Sequence, residues 1–226
     1  MKLQNKRSEE GHWISVSDLM AGLMIVFLFI AISYMIKVKE VATTYTKIQN
    51  EIYEALAKEF KNDLPKWKAI IDEDTLSIRF KEPDILFDRG KCDVNNKFQN
   101  ILKDFFPRYI RVVTKDKFKK EIDEIRVEGH TSSPGLKNQD ENEAYFYNMK
   151  LSQDRTRSVL KYVLNLDEID NKKAWLKKHL TANGLSSSKV IYNEENIEDR
   201  TLSRRVEFRV KTNAEKRIKK IASRSL

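Results

Sequence analysis

Asp18 is the residue whose type and setting point most directly to chemistry. From Leu19 to Ile36 the chain reads LMAGLMIVFLFIAISYMI without a charge, and the apolar character runs back to Ile14, broken only by Asp18. A carboxylate in hydrocarbon needs a partner or a proton, and acids so placed mark ion pathways by default. At helical spacing Ser15, Asp18, Ala21, Gly22 and Ile25 share one face, whose small residues let another helix come close. The plainer alternative puts Asp18 at head-group level, one turn inside Trp13, with no role. The ion-relay reading outweighs it.

A second group is Glu128-Gly129-His130-Thr131 with Asn148-Met149-Lys150-Leu151-Ser152-Gln153-Asp154-Arg155. The first segment suits a strand end. In the second, Tyr147, Asn148, Leu151 and Arg155 follow one side of a helix start, Ser152 suits a helix N-cap or first-turn hydroxyl, and Arg155 can hold a carboxylate through its two-pronged guanidinium. Taken alone, these residues equally fit a turn and a strand-end histidine bonded to backbone. The histidines at 12, 130 and 179 are too scattered for a metal centre or a catalytic triad, and the single Cys92 excludes a disulfide framework. No metal, cofactor or enzymatic reaction is expected.

The elements that must position these residues follow from pattern. At about 1.5 Å per residue, Ile14–Ile36 covers roughly 34 Å, enough to cross a bilayer. Trp13 and Tyr34 stand at its ends, and Tyr34-Met35-Ile36-Lys37 has no small-x-small cleavage pattern, so an uncleaved transmembrane helix follows a leader of residues 1–13. The flanking charges leave its orientation open. Val38, Val41, Tyr45, Ile48, Ile52 and Ala55 then recur at 3-4 spacing, the seam of a helical stalk over 37–64 that pairs two copies or, alternatively, leans on its own domain. Pro65 ends it. Residues 65–211 read as an α+β domain in the order β-α-β-α-(α)-β-β. Its strands are expected near Leu76–Phe80, Ile122–Gly129, Val190–Tyr192 and Arg205–Val210. Its helices cover Phe98–Phe106, Met149–Leu166 and Trp175–Leu180, the last capped by Asn183-Gly184. Residues 212–226 form a basic tail, a frayed helix with Ile218 and Ile221.

Composition is consistent with this. The 226 residues carry a net charge of +9, 40% apolar residues and few Gly or Pro, which excludes collagen-like and disordered classes. The charge favours anionic partners, but its dispersal along the chain argues against direct nucleic-acid binding.

Phe87-Asp88-Arg89-Gly90, Glu128 to Ser132, Asn148 with Leu151, Ser152 and Arg155, and Ser203-Arg204-Arg205-Val206-Glu207 together resemble the motifs of the OmpA-like peptidoglycan-binding domain. The resemblance covers Leu76 to Lys211. It implies that Arg155, with Tyr147, Asn148, Leu151, Thr131 and Ser132, grips the diaminopimelate of the peptide stem by its carboxylate. Ser132 stands where the family has the Asp that meets the ligand's ammonium, and Ser203 where it has Asn. An acid-bearing N-terminal helix followed by such a domain resembles stator B subunits of the MotB type. Within these, Ser17 to Met24 is most similar to the ZorB family of Zorya anti-phage defence systems. This resemblance implies a proton- or sodium-driven motor subunit in the bacterial inner membrane, N-terminus cytoplasmic and domain periplasmic. Its partners would be a ring of multi-span ZorA/MotA-like subunits, a second copy of itself, and peptidoglycan. A flagellar-type stator subunit or a passive wall anchor are the alternatives, and Asp18 is useless to the anchor.

Overall fold

The computed structural model describes residues 2–81, 86–88 and 90–213, with the backbone alone for residues 2–12, 14, 15, 44 and 45. Arg89 of the first motif and the tail beyond Asn213 lie outside the described residues. The chain divides between Thr46 and Lys47 into two units.

Helix α1 runs over Lys2–Phe60. From Leu19 to Ile36 it is apolar on every side: Leu19 is 75% exposed and Met24 71%, and Leu23, Phe27, Leu28 and Ile30 are exposed with them. A helix without a polar face is not at home in water. Within Val16–Phe60 lies the helix that, among the described residues, is long and apolar enough to cross a membrane, with mean hydropathy 2.6 in its richest stretch.

In the second unit the last turns of α1 belong to a globular core. Ile52, Leu56 and Phe60 recur every four residues and are fully buried, while Ile48 and Ala55 pack beside them. The compact unit thus takes in α1 from Lys47 onward. From Ile52 onward the seam expected to pair two stalks is spent on the chain's own domain. A 3-4 repeat defines an apolar face but not what covers it. Arg108 fixes this end: its Nε donates to Glu59 Oε1 (2.8 Å), its Nη2 to the Glu59 carbonyl (2.9 Å) and its Nη1 to Asp63 (3.0 Å), with the guanidinium 5.0 Å over the Phe60 ring.

The sheet comprises β1 (Ala69–Asp72), β2 (Ser77–Phe80), β3 (Ile122–His130), β4 (Leu180–Gly184) and β5 (Arg205–Thr212), ordered β1-β2-β5-β3-β4. Only β3 and β4 are parallel. Among the described residues the unit also has helices α2 (Asn96–Val113), α3 (Asp116–Lys119), α4 (Glu141–Leu164), α5 (Lys173–His179) and α6 (Arg200–Ser203), with a 3-10 turn over Asp167–Lys172. The α+β class holds, but several elements differ from expectation. Strand β1 is too short to alternate visibly; it forms a hairpin with β2 around Asp72, whose carboxylate accepts from Thr75 N–H and hydroxyl. Leu180–Gly184 is a strand, so Asn183-Gly184 does not cap a helix, and Gly184 instead pairs with Gly129. Val190–Tyr192 makes only a single bridge, Tyr192 to Glu198. Helix α4 begins at Glu141, where Asp140 and Glu143 form a capping box; Ser152 therefore lies mid-helix and caps nothing.

The pleat sorts the strands. Ile78, Phe80, Ile125, Val127, Val206 and Phe208 turn to the core, where the Phe105 ring lies 5.0–5.2 Å from those of Phe208, Phe80 and Phe60. Arg79, Arg126, Glu128, His130, Arg205, Glu207 and Arg209 alternate with them on the other face.

Candidate functional site

Helix α4 rides directly on the ends of β3 and β4 because two glycines let it. A Cβ on Gly129 would lie 2.6 Å from Thr156 Cγ2, and one on Gly184 would lie 2.3 Å from the backbone nitrogen of Gln153. The facing residues are small: Ser152 Oγ donates to the Met149 carbonyl (2.9 Å) and accepts from Ser186 N–H (3.1 Å), and Thr156 Oγ1 donates to the Ser152 carbonyl (3.0 Å). Asn148 Nδ2 reaches the carbonyls of Ser132 (3.1 Å), Ser133 (3.2 Å) and Pro134 (3.2 Å), pinning the loop after β3. Thr131 N–H donates to the Ser186 carbonyl (2.9 Å). Thr131, Ser132 and Asn148 are buried, and among the described residues the Thr131 hydroxyl has no hydrogen-bond partner.

Arg155, two turns further along α4, is held elsewhere. Its Nε donates to the Lys91 carbonyl (3.1 Å), and its guanidinium stacks 4.8 Å above the Phe87 ring. Between it and the sheet is a small cavity lined by Phe87, Gly129, His130, Ser152, Arg155 and Arg205, with about 10 Å³ open to water, room for one molecule at most. Tyr147 and Leu151 lie half-buried, one above the other on α4, and among the described residues no hydrogen bond or ring contact links them to the other expected site residues. The structure therefore joins Thr131, Ser132 and Asn148 into one loop-and-helix unit and sets Arg155 on a separate aromatic platform. Asp18 lies in the other unit, exposed on α1.

One acid escaped sequence reasoning. Glu198 accepts from Ser133 N–H (2.9 Å) with one oxygen and from the Ser133 hydroxyl with the other. A carboxylate thus stands at the loop where Ser132 replaces the expected Asp. It arrives from a turn closed by Asn193 N–H to the Ile197 carbonyl (2.9 Å) and Asp199 N–H to the Ile191 carbonyl (2.8 Å). Nothing local marks it, since the pair is 65 residues apart in sequence.

The charged sheet face next to Arg155 forms a lattice. Glu207 accepts from Arg205 Nε (2.6 Å), Arg79 Nε (2.8 Å) and Ser77 Oγ (3.0 Å). Burial alone would raise its carboxyl, but the bonds and charge of Arg205 and Arg79 outweigh this and hold it down to about 2. His130, with its side chain 3% exposed, lies 4.0 Å from Glu128 and 3.9 Å from Glu207, and among the described residues neither ring nitrogen has a hydrogen-bond partner. Burial, reinforced by the Arg205 charge, pushes it down to about 3, so it is neutral at physiological pH. Glu128, His130 and Glu207 offer three ligand atoms within 4.8 Å. Arg205 and Arg79 occupy Glu207, and Arg126 and Arg209 stand 3.8 and 3.9 Å from Glu128, a setting hostile to a further cation. The cluster reads as a buried ion-pair network.

Residues 86–204 match the model of the OmpA family. A protein of Escherichia coli (strain ATCC 8739, Crooks), the Zorya protein ZorB, is 47% identical over 227 residues, covering 97% of this chain and 96% of that protein. Among solved structures, a MotB-like protein from Desulfovibrio vulgaris shares the fold with TM-score 0.51 and 21% identity, over 74% of this chain and 96% of that one. The cell wall anchor of the T6SS from Pseudomonas aeruginosa gives TM-score 0.46 and 20% identity, over 70% and 96%.

Proposed function

The chain belongs to the OmpA family and, over almost its whole length, to the ZorB proteins; from that premise we propose that it is the ion-carrying, wall-anchored B subunit of a membrane motor acting in anti-phage defence. In this reading α1 crosses the inner membrane once, with the N-terminus cytoplasmic and unit 2 periplasmic. Two copies stand inside a ring of multi-span ZorA/MotA-like subunits, each contributing Asp18. Protonation, or capture of a sodium ion, neutralises that carboxylate and changes how α1 packs against its partners, a two-state event that the ion gradient can drive at about 2.3 kcal/mol per charge per 100 mV. The observation that carries the reading is Asp18 itself: an exposed acid at the head of Leu19–Ile36, a stretch of α1 without another charge and apolar all round. A passive tether has no use for it.

The wall contact is assigned to the β3–α4 end of unit 2. Diaminopimelate in a peptide stem presents a carboxylate and an ammonium. Arg155 suits the first once it leaves Lys91, and Glu198 supplies beside Ser133 the negative charge that Ser132 lacks. Self-pairing of α1 is confined in this reading to the part before unit 2, where Val38 and Val41 remain available.

Asp18→Asn keeps size and hydrogen bonding but cannot titrate. Cells carrying it are expected to lose phage protection by several orders of magnitude while the protein accumulates normally in the membrane. Undiminished protection, measured as plating efficiency, would eliminate the ion-relay role.

A further inference from the structure

Asp18 stands near one end of the span. At 1.5 Å per residue it lies about 6 Å from Ile14 and about 27 Å from Ile36. An ion arriving from the aqueous phase beyond Ile36 therefore travels most of the span before it meets the carboxylate. Between Leu19 and Ile36 the polar side chains are those of Ser33 and Tyr34. Each helical residue turns by about 100°, which puts Ser33 about 60° from Asp18 around α1 and Tyr34 about 160° from it. Ser33 thus shares the side that carries Asp18, Gly22, Ile25, Phe29 and Ile36, about 22 Å beyond the acid, and is exposed there. The opposite side carries Met20, Met24, Phe27, Ala31 and Met35. The Ser33 hydroxyl is also not spent on its own helix. Those of Thr43 and Thr46 donate four residues back, to the carbonyls of Lys39 (2.8 Å) and Ala42 (3.1 Å). Among the described residues the Ser33 hydroxyl makes no such bond. Left against hydrocarbon it would be costly, so a hydrogen-bonding environment must meet it.

We propose, resting on the reading of Asp18 as the ion carrier and on the orientation given with it, that Ser33 is the outer station of the ion route. Its hydroxyl, with the water it holds, receives the ion between the aqueous phase beyond Ile36 and Asp18. A hydroxyl both accepts and donates. It can accept a proton from a water on the outer side while its own passes to a water on the inner side, ending unchanged, or it can lend one oxygen to a sodium ion. It suits a passing place because it carries no charge of its own and so does not compete with Asp18 for the ion. Gly22, Ile25 and Phe29 offer no polar side chain between the two, so the facing wall of this stretch belongs to the partner subunits.

Substituted cysteines test this in the full chain, produced in cells together with its multi-span partner in a Cys92→Ser background. Ser33→Cys is compared with Ala31→Cys and Met35→Cys, which bracket it in depth and lie about 160° away around the helix. The probe is a positively charged, membrane-impermeant methanethiosulfonate added outside the cells, which reacts with the thiolate and so only where water reaches the thiol. Ser33→Cys is expected to react about tenfold faster than either neighbour. In parallel, Ser33→Ala should lower phage protection about tenfold or more, and Ser33→Thr, which keeps the hydroxyl, should retain it. Equal rates at all three positions, a rate that simply rises from Ala31 to Met35, or full protection in Ser33→Ala overturns the proposal. So does an unreactive Ser33→Cys beside a defective Ser33→Ala, which would make the hydroxyl a contact between packed helices. Labelling needs no titration at Asp18 and should persist in Asp18→Asn. The wet path can therefore fail while the acid is upheld by plating, and the reverse.

Discussion

At the scale of single residues, the proposed wall contact makes separable demands on Arg155 and Glu198. Arg155 must leave its Lys91 carbonyl and Phe87 platform to meet a carboxylate of the ligand. Its loss removes a charge-assisted contact of about 1.5–3 kcal/mol, so Arg155→Ala should weaken co-sedimentation of the detergent-solubilised chain with purified peptidoglycan roughly ten- to a hundredfold. Glu198→Gln keeps a carbonyl oxygen for Ser133 N–H and loses only charge, so it should weaken binding less while leaving the fold intact. If Glu198→Gln binds as the unaltered chain does and Arg155→Ala does not, the ammonium of the ligand is met elsewhere. Arg155 could be singled out in the sequence by the motif it shares with Asn148, Leu151 and Ser152, and its role rests on that resemblance. Glu198 could not, because its position comes from tertiary folding across 65 residues. Asn148 was legible as a position but not as a role: its amide is spent on three loop carbonyls.

At the scale of elements, α1 shows what periodicity can and cannot determine. The 3-4 repeat through Ile48, Ile52 and Ala55 locates an apolar face correctly, yet leaves open whether a second copy or the chain's own sheet covers it. Leu56 and Phe60 continue the same face into the core beside Phe105 and Trp67. Phe60→Ala should therefore destabilise unit 2 by about 3–5 kcal/mol, read as a lower denaturant midpoint by Trp67 fluorescence. In a Cys92→Ser background, a cysteine at Val41 should crosslink two copies in membranes, whereas one at fully buried Ile52 should not. Crosslinking at Ile52 as efficient as at Val41 would mean that the helix end leaves its domain. Short or glycine-bearing strands were the other blind spot. Leu180-Thr181-Ala182-Asn183-Gly184 lacks alternation because its glycine serves the close approach of α4, a requirement visible only once the helix is in place.

At the scale of the whole molecule, the ion-pair network sets how stability depends on pH. Glu207 is held down to about 2 against an ordinary 4.5, so the stability it contributes is complete above pH 4.5 and is lost as pH falls toward 2. His130 is held down to about 3 against 6.5. The unfolded chain takes up its proton near pH 6.5 and the folded chain does not, so unfolding gains a proton across the window from 6.5 to 3 and stability falls as pH falls. Glu128 opposes this, because burial raises its carboxyl and makes the folded form the better proton acceptor around pH 4.5 and above. Between pH 6 and 5 the ordinary carboxylates are still ionised in both states, so His130 lowers stability there and Glu128 opposes it. One proton corresponds to about 1.4 kcal/mol per pH unit. The His130 share of the unfolding free energy in detergent, read by tryptophan fluorescence as the difference from His130→Gln, should accordingly drop by roughly 1 kcal/mol from pH 6 to 5. His130→Gln, which cannot titrate, should flatten that interval while keeping the steeper loss below pH 4.5 that belongs to Glu207. A slope unchanged in His130→Gln would mean that His130 is protonated in the folded chain, and that Glu128 and Glu207 hold it as a charged partner within the lattice.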